Sequence, residues 1–385
     1  MSTSALLEGQ FTLGVEEEFQ IVDKDTGELR SYISKMLDDG KAVLRERVRA
    51  EMHQSVVEVG TGICKNVQEV RAELTEMRLE LDRLARKGGM NIVAAGTHPF
   101  SDWKSQEITP NPRYHLIVED LQDVARANLI FGLHVHVGIK DKQTAIALAN
   151  QIRYFLPHLL SLSVSSPFWL GRATGQQSTR TMMFKRFPRT GIPPTFESYS
   201  QFMEYVDLLI RTNCIDNGKK IWWDVRVHHV FDTVEIRICD MPTNLNQELG
   251  IVSLIQALVA QLYLMLRRNQ SWRHYMSPLI EENKWRASRY GIRGKIIDFG
   301  QQQERPFTEL AEEMISFVSE ASDALGTSDE VAAIRNIFTE GTSAEKQLEV
   351  FKNNNNDPRA VVRWLVEETM RGVKESPAAA SVKAG

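Results

Sequence analysis

Gly14-Val15-Glu16-Glu17-Glu18-Phe19 decides how this chain is read. Successive side chains of a β-strand point to opposite faces, so Glu16 and Glu18 share one face and Glu17 takes the other. Two carboxylates side by side repel unless a cation stands with them. The pattern recurs twice. In Gly132-Leu133-His134-Val135-His136-Val137-Gly138 two imidazoles alternate with apolar residues, and in Val234-Glu235-Ile236-Arg237-Ile238 a carboxylate alternates with a guanidinium. A packed face would carry Val, Ile or Leu at those positions. Any one of these strands could be a plain solvated face. Together they use residue types that hold hard cations and phosphate oxygens, where exposed strands favour Thr, Lys and mixed charge. We read the three as lining one metal and phosphate site, with Glu17 structural or solvated on the far side.

The chain's 385 residues, 42% of them apolar, suffice for one large domain or two ordinary ones with a sizeable core. A formal charge of -4 and a pI near 6.2 give no basic footprint, which argues against nucleic acid as a main partner and leaves small anions open. Cys64, Cys214 and Cys239 are too few and too scattered for a disulfide framework or a metal knuckle, so a reducing, cytoplasmic compartment is expected. The N-terminus lacks a basic-then-apolar leader. The most apolar stretch, Leu249 to Leu266, is interrupted by Ser253, Gln256 and Gln261 and reads as a core helix rather than a membrane span.

Outward from the acidic strand, Asp23-Lys24-Asp25-Thr26-Gly27 has hairpin-turn chemistry and predicts a returning strand over Glu28 to Tyr32. Glu51 to Glu58 reads as a further extended, half-polar segment. Asn66 is placed to cap a helix whose apolar positions run from Val67 to Leu84 and which stops at Gly88-Gly89. Met90 to Ala95 predicts a buried strand. Helices are expected over Arg113 to Asn128 and Lys142 to Ser163. From Ser165 to Pro194, repeated Gly and Pro break periodicity while Arg172, Arg180, Lys185, Arg186 and Arg189 concentrate positive charge. Such a long loop is uncommon inside a domain unless it lines a site. Ile221 to Val230 and Thr233 to Cys239 predict a hairpin joined near Phe231-Asp232. The last third is helical, and from Glu375 the Ala, Ser, Pro and Lys composition predicts a disordered tail.

With these segments placed, the chain resembles the carboxylate-amine ligases grouped with type 2 glutamate-cysteine ligases, in the wider glutamine-synthetase-like superfamily. The resemblance runs from about Phe11 to about Gly372. Its anchors are Gly-Val-Glu-Glu-Glu-Phe at 14 to 19, Gly-Thr-His-Pro-Phe at 96 to 100, Gly-Leu-His-Val-His-Val-Gly at 132 to 138, and Thr-Val-Glu-Ile-Arg-Ile-Cys-Asp-Met-Pro-Thr-Asn at 233 to 244. It implies one catalytic domain over residues 1–372, with 373–385 as tail. The implied fold is α+β: a curved, mostly antiparallel sheet forming a funnel-like active site, covered by helices.

Carried over position by position, the resemblance makes Glu16, Glu18, Glu51, Glu58, His134 and Glu235 ligands of two or three Mg ions. His136 and Arg237 would face phosphate. Arg172 and Arg180 would act as substrate and phosphate clamps, and Lys284, Arg286 and Arg289 match a late basic helix that helps hold nucleotide. The implied activity is ATP-dependent joining of a carboxylate to an amine through an acyl phosphate, with glutamate and cysteine as the implied pair, the activity on that pair weak, and the product γ-glutamylcysteine. A homodimer is implied by the resemblance alone. Another acid and amine, or a guanidino-type phosphotransferase, would use similar acidic strands and arginines. A metal-dependent hydrolase or a non-catalytic ATP-binding regulator also stays open.

Overall fold

The computed structural model describes residues 3–44 and 47–373. Its main sheet has seven strands: β1 (Leu13–Asp23), β2 (Val48–Ala50), β3 (Val56–Gly60), β4 (Met90–Val93), β5 (Leu133–Gly138), β6 (Val225–Val227) and β7 (Thr233–Ile236). Their order is β6-β7-β5-β1-β3-β2, with β4 beside the second half of β1, and every pairing is antiparallel. The eleven-residue β1 is the axis of the sheet because alternate residues Leu13, Val15, Phe19 and Ile21 are fully buried on one face. Register then aligns the polar face. Glu16 stands opposite His134, Glu18 opposite Glu58, Glu235 opposite His136, and Arg226 opposite Glu235.

Helices Val67–Lys87, Leu245–Arg267 and Pro358–Thr369 pack behind the sheet. The first starts as expected, with the Asn66 side chain accepting from the Glu69 N–H. The second is the one described helix long and apolar enough to cross a membrane, and it lies mostly buried in the core. Between sheet and helices, Glu17 is fully buried. Arg78 donates to Glu17 Oε1 at 2.5 and 2.8 Å, to Glu248 Oε2 at 2.5 Å, and to the carbonyls of Thr243 and Thr369. Glu17 is therefore structural, not solvated.

Several elements are shorter than their sequence pattern. The expected Glu28–Tyr32 strand reduces to one bridge, Val22 to Leu29. The segment Glu51–Glu58 is not continuous strand: residues 51–55 bend and turn around a single bridge from His53 to Ile108, and ladder pairing resumes at Val56. The 113–128 helix breaks at Gln122, where φ is 50°. The 142–163 helix is interrupted by a 3₁₀ turn at Arg153–Phe155. Pro157 explains the break, because its ring excludes the carbonyl of Arg153 four residues before it and it has no N–H to continue the ladder. The 165–194 loop contains a helix, Thr179–Phe184, capped by Ser178. The tail expected from 373 onward lies, apart from Val373, outside the described residues.

Candidate active site

The polar face of the sheet floors an open cleft of about 420 Å³. Its lining includes Glu16, Glu18, Glu51, Glu58, His134, Arg180 and Arg237, together with Arg49, Arg113, Tyr114, Lys219, Trp222, Arg226, His228, Val230 and Phe231. Two groups of carboxylates and imidazoles share this sheet face, although His136 and Glu235 of the first are buried behind the lining. On the β1–β5–β7 side, Glu16, His136 and Glu235 bring ligand atoms within 4.8 Å of one another. His136 Nε2 lies 3.7 Å from Glu16 and 3.9 Å from Glu235, while its Nδ1 is held 3.1 Å from the Thr233 hydroxyl. That second contact fixes the ring with Nε2 aimed at the carboxylates, as metal-binding imidazoles commonly are. His134 instead pairs with Glu16, Nδ1 to Oε2 at 3.1 Å.

On the β1–β3 side, Glu18 and Glu58 face each other directly across the strand pair, and Glu51 stands close enough to perturb both. Like charges opposed in this way destabilise a sheet. Burial, and then Glu51, pushes Glu18 up to about 7 against the pull of Arg180 and Arg237. Burial followed by Glu51, Glu16 and Glu18 raises Glu58 well above the ordinary carboxylate value, and burial also raises Glu51. Glu16 moves the other way: burial opposes ionisation, but hydrogen bonding and charge from His134 and His136 bring it well below the usual range. Burial lowers His134 to about 4, so it is neutral at pH 7.

This donor set fits a hard divalent cation. Carboxylate oxygens dominate it, Mg takes oxygen ligands, and the Glu18–Glu51–Glu58 group holds acidic side chains that ionise at a cost only a cation or protons can offset. Glu235 is the constrained member. Arg226 donates to both its oxygens, at 2.5 and 3.2 Å, and Arg237 donates to Oε1, which occupies three of about four lone-pair sites. Arg226 and Arg237 accordingly hold Glu235 well below the ordinary carboxylate value despite full burial.

Arg180 is 4% exposed, and its fork is spent on backbone: Nη1 donates to Ile238 O at 3.2 Å and Nη2 to Arg237 O at 3.3 Å. Gly132 makes room for it, since a Cβ there would come within 2.2 Å of Arg180 Nη2. The same close approach explains Gly96, where a Cβ would meet Asp240. In the Gly-Thr-His-Pro-Phe run, His98 is likewise structural, bonded to Gly27 O and accepting from Phe100 and Ser101 N–H groups.

All five expected nucleotide-binding residues lie outside the cleft lining, His136 just behind it and buried, the other four away from it. Arg172 is exposed on a two-residue strand. Lys284 is buried in an ion pair with Asp224 at 2.6 Å, Arg286 pairs with Glu304 and Glu282, and Arg289 donates to Gly175 O beside Tyr290. The helix Ser277–Tyr290 that carries the last three packs mainly on the helix Leu156–Ser163 and on the strand Lys295–Asp298, and these basic residues pair locally. Sequence reasoning missed Arg49, Arg113, Tyr114, Lys219 and Phe231. Arg49 had a signal in principle, being opposite Glu58 in the β2–β3 register, and Arg226 likewise through its pairing with Glu235.

The crystal structure of a bifunctional glutathione synthetase from Pasteurella multocida superposes with a TM-score of 0.71 at 15% identity, over 97% of this chain and 54% of that one, so this chain spans about half its length. A glutamate–cysteine ligase from Francisella tularensis, solved in complex with AMP, gives 0.65 at 11% identity, over 98% and 91%. The fold is thus of the glutamate-cysteine ligase class, as expected. The family described as glutamate-cysteine ligase family 2 matches residues 12–371. Proteins named "Putative glutamate--cysteine ligase 2" from Sorangium cellulosum and Solibacter usitatus are 59% and 52% identical, covering 96% and 97% of this chain and 98% and 97% of their own. The chain belongs to glutamate-cysteine ligase family 2 and is, with that family, an ATP-dependent carboxylate-amine ligase.

Proposed function

We propose that this ligase joins the side-chain carboxylate of glutamate to the amine of cysteine, with weak activity on that pair, giving γ-glutamylcysteine, ADP and phosphate in the cytoplasm. The observation that carries the reading is the convergence on one face of two acidic groups, Glu16–His136–Glu235 and Glu18–Glu51–Glu58. Each suits at least one Mg ion, two or three in all, and bound Mg would neutralise the triphosphate and the transferring phosphoryl group. In this reading the His ligand is His136, and His134 orients Glu16.

The chain's own residues do the positioning. Arg237, next to Glu235, stabilises the charge that develops as the substrate carboxylate attacks the terminal phosphorus, and Arg226 holds Glu235 in place. Arg180 braces the backbone at Arg237 and Ile238, just past β7, and Arg113 lines the cleft beside Glu51. The amine then displaces phosphate from the acyl phosphate, with no enzyme nucleophile required. Buried Cys64 and Cys239, whose thiols burial pushes up to about 11 and about 12, are unsuited to one. A homodimer is part of the proposal.

Phosphate release from ATP, with mass detection of the amide over amino-acid pairs, tests the reading. Release that needs both an acid and an amine supports it. A phosphorylated product without amide replaces it with a phosphotransferase, and amide from another pair replaces the substrates.

A further inference from the structure

The turn between β6 and β7 carries His228-His229-Val230-Phe231-Asp232, and it overhangs the Glu16–His136–Glu235 end of the cleft. Phe231 is 55% exposed and Val230 is 57% exposed, large apolar side chains left in water at the mouth of a polar site. Phe231 stacks on His228 with ring centroids 4.6 Å apart and planes 15° from parallel. Only one of its faces is used.

The turn is built to hold that ring still. His228 Nδ1 accepts from the backbone N–H groups of Val230 and Phe231 at 3.2 and 2.9 Å. Lys142 Nζ ties down the carbonyls of His228 and Phe231, at 3.1 and 2.8 Å, and the Asp232 carboxylate at 3.0 Å. The bracing fixes where the ring stands at the mouth of the cleft.

Other aromatic rings of the cleft are already engaged. Trp222 has Arg189 over its ring and Phe187 at its edge, Phe184 has Arg180 over its ring, and Tyr114 is buried with its hydroxyl donating to Ala50 O. His136 links the platform to the acidic cluster: its ring lies 5.6 Å from His228 and 6.2 Å from Phe231, while Nε2 faces Glu16 and Glu235. Lys219 and Arg226 line the same end.

We infer that the free face of Phe231, backed by His228 and flanked by Val230, is the stacking platform for the purine base of the nucleotide whose phosphates reach the Glu16–His136–Glu235 cluster. The inference rests on the ligase reading for the presence of ATP and adds the residues that hold its base. Base–aromatic stacking is tolerant of base identity, so the platform sets affinity more than choice between purines.

The test compares wild type, Phe231→Ala and Phe231→Trp by calorimetric binding of ATP with Mg, in the absence of acid and amine, and by binding of inorganic tripolyphosphate, which has no base. Phe231→Ala should weaken ATP about 5- to 150-fold, the loss expected for one stacked base, while Phe231→Trp restores it and tripolyphosphate binds all three alike. Unchanged ATP affinity in Phe231→Ala overturns the inference. Equal weakening of tripolyphosphate does so too, because the ring would then shape the phosphate site, and so does a change in sedimentation with ATP binding intact, which would make Phe231 a contact with a second copy. Because binding is read without turnover, a wild type that binds ATP but forms no γ-glutamylcysteine would overturn the proposed substrate pair and leave this inference standing.

Discussion

Replacing Glu18 by Gln should make the metal-free protein more stable at pH 8 and leave it nearly unchanged at pH 5. Glu18 sits opposite Glu58, accepts from the Gly132 N–H at 2.5 Å, and titrates at about 7 against an ordinary value of 4.5. A carboxyl raised in the folded state keeps a proton between those values that the unfolded chain has released. The native state therefore loses stability as pH rises from about 4.5 to 7 and stays penalised above it. At about 1.4 kcal/mol for each pH unit between the two values, the full cost is roughly 3 kcal/mol, which partial exposure to cleft water reduces to about 2 kcal/mol. Gln carries no charge and escapes it. Relief of Glu58, which Glu18 also raises, acts in the same direction.

The assay is thermal melting of wild type and Glu18→Gln at pH 5 and pH 8, with chelator and with saturating Mg. The variant should melt a few degrees above wild type at pH 8 with chelator, the shift about 2 kcal/mol gives in a chain of this size. Mg should then raise wild type more than the variant, since the ion neutralises a charge the variant lacks. A variant as pH-dependent as wild type, or equal Mg shifts in both, would refute the electrostatic reading of the β1–β3 pair.

Arg237→Ala should lower turnover by roughly two to three orders of magnitude, the usual loss for a preorganised charge at a developing anion, whereas Glu235→Ala should first shift the Mg titration of activity. Since the two side chains are paired and Glu235 is fully buried, both substitutions should also lower the melting temperature, and the Mg titration is the measurement that separates them. Arg180→Lys keeps the charge but loses the fork that spans Ile238 O and Arg237 O, so kcat should fall about tenfold or more; unchanged kinetics would make the brace irrelevant. Arg78→Leu strands two buried carboxylates and should cost about 3–5 kcal/mol in denaturant unfolding, with a cost below about 1 kcal/mol counting against the triad.

Much of the site was legible because strand alternation is a strict period of two. Once Glu16 and Glu18 share a face, the apolar partners Val15, Val135 and Val234 fix which face is core, and the histidines and Glu235 follow. Register was not legible. The alternation in Leu133–Gly138 makes His134 and His136 equivalent, and only the pairing of β5 with its two neighbours shows that His136 stands opposite Glu235 on β7 while His134 stands opposite Glu16 on β1. The basic residues on Ser277–Tyr290 misled for a related reason: charge density on a helix says nothing about which neighbour the helix packs against, and Asp224 and Glu304 claim Lys284 and Arg286.

Glu17 shows what the acidic strand costs and how the fold meets it. A central strand bearing three consecutive carboxylates cannot bury the middle one against apolar helices, because an unpaired ion there is costly to desolvate. Arg78 from one helix neutralises it, and Glu248 from another shares the guanidinium, itself raised well above the ordinary carboxylate value by burial and by Glu17. The same arginine bonds Thr243 O, just beyond β7's polar run, and Thr369 O at the end of the last described helix. The back of β1 is thus pinned to three separate stretches of chain through one side chain. Glu16 and Glu18, its two neighbours, thereby stand on the front of a strand anchored from behind as well as by its ladders. A buried ion cluster of this kind gains little net stability over apolar packing, and its place in this fold follows from the geometry it imposes on the carboxylates of the cleft.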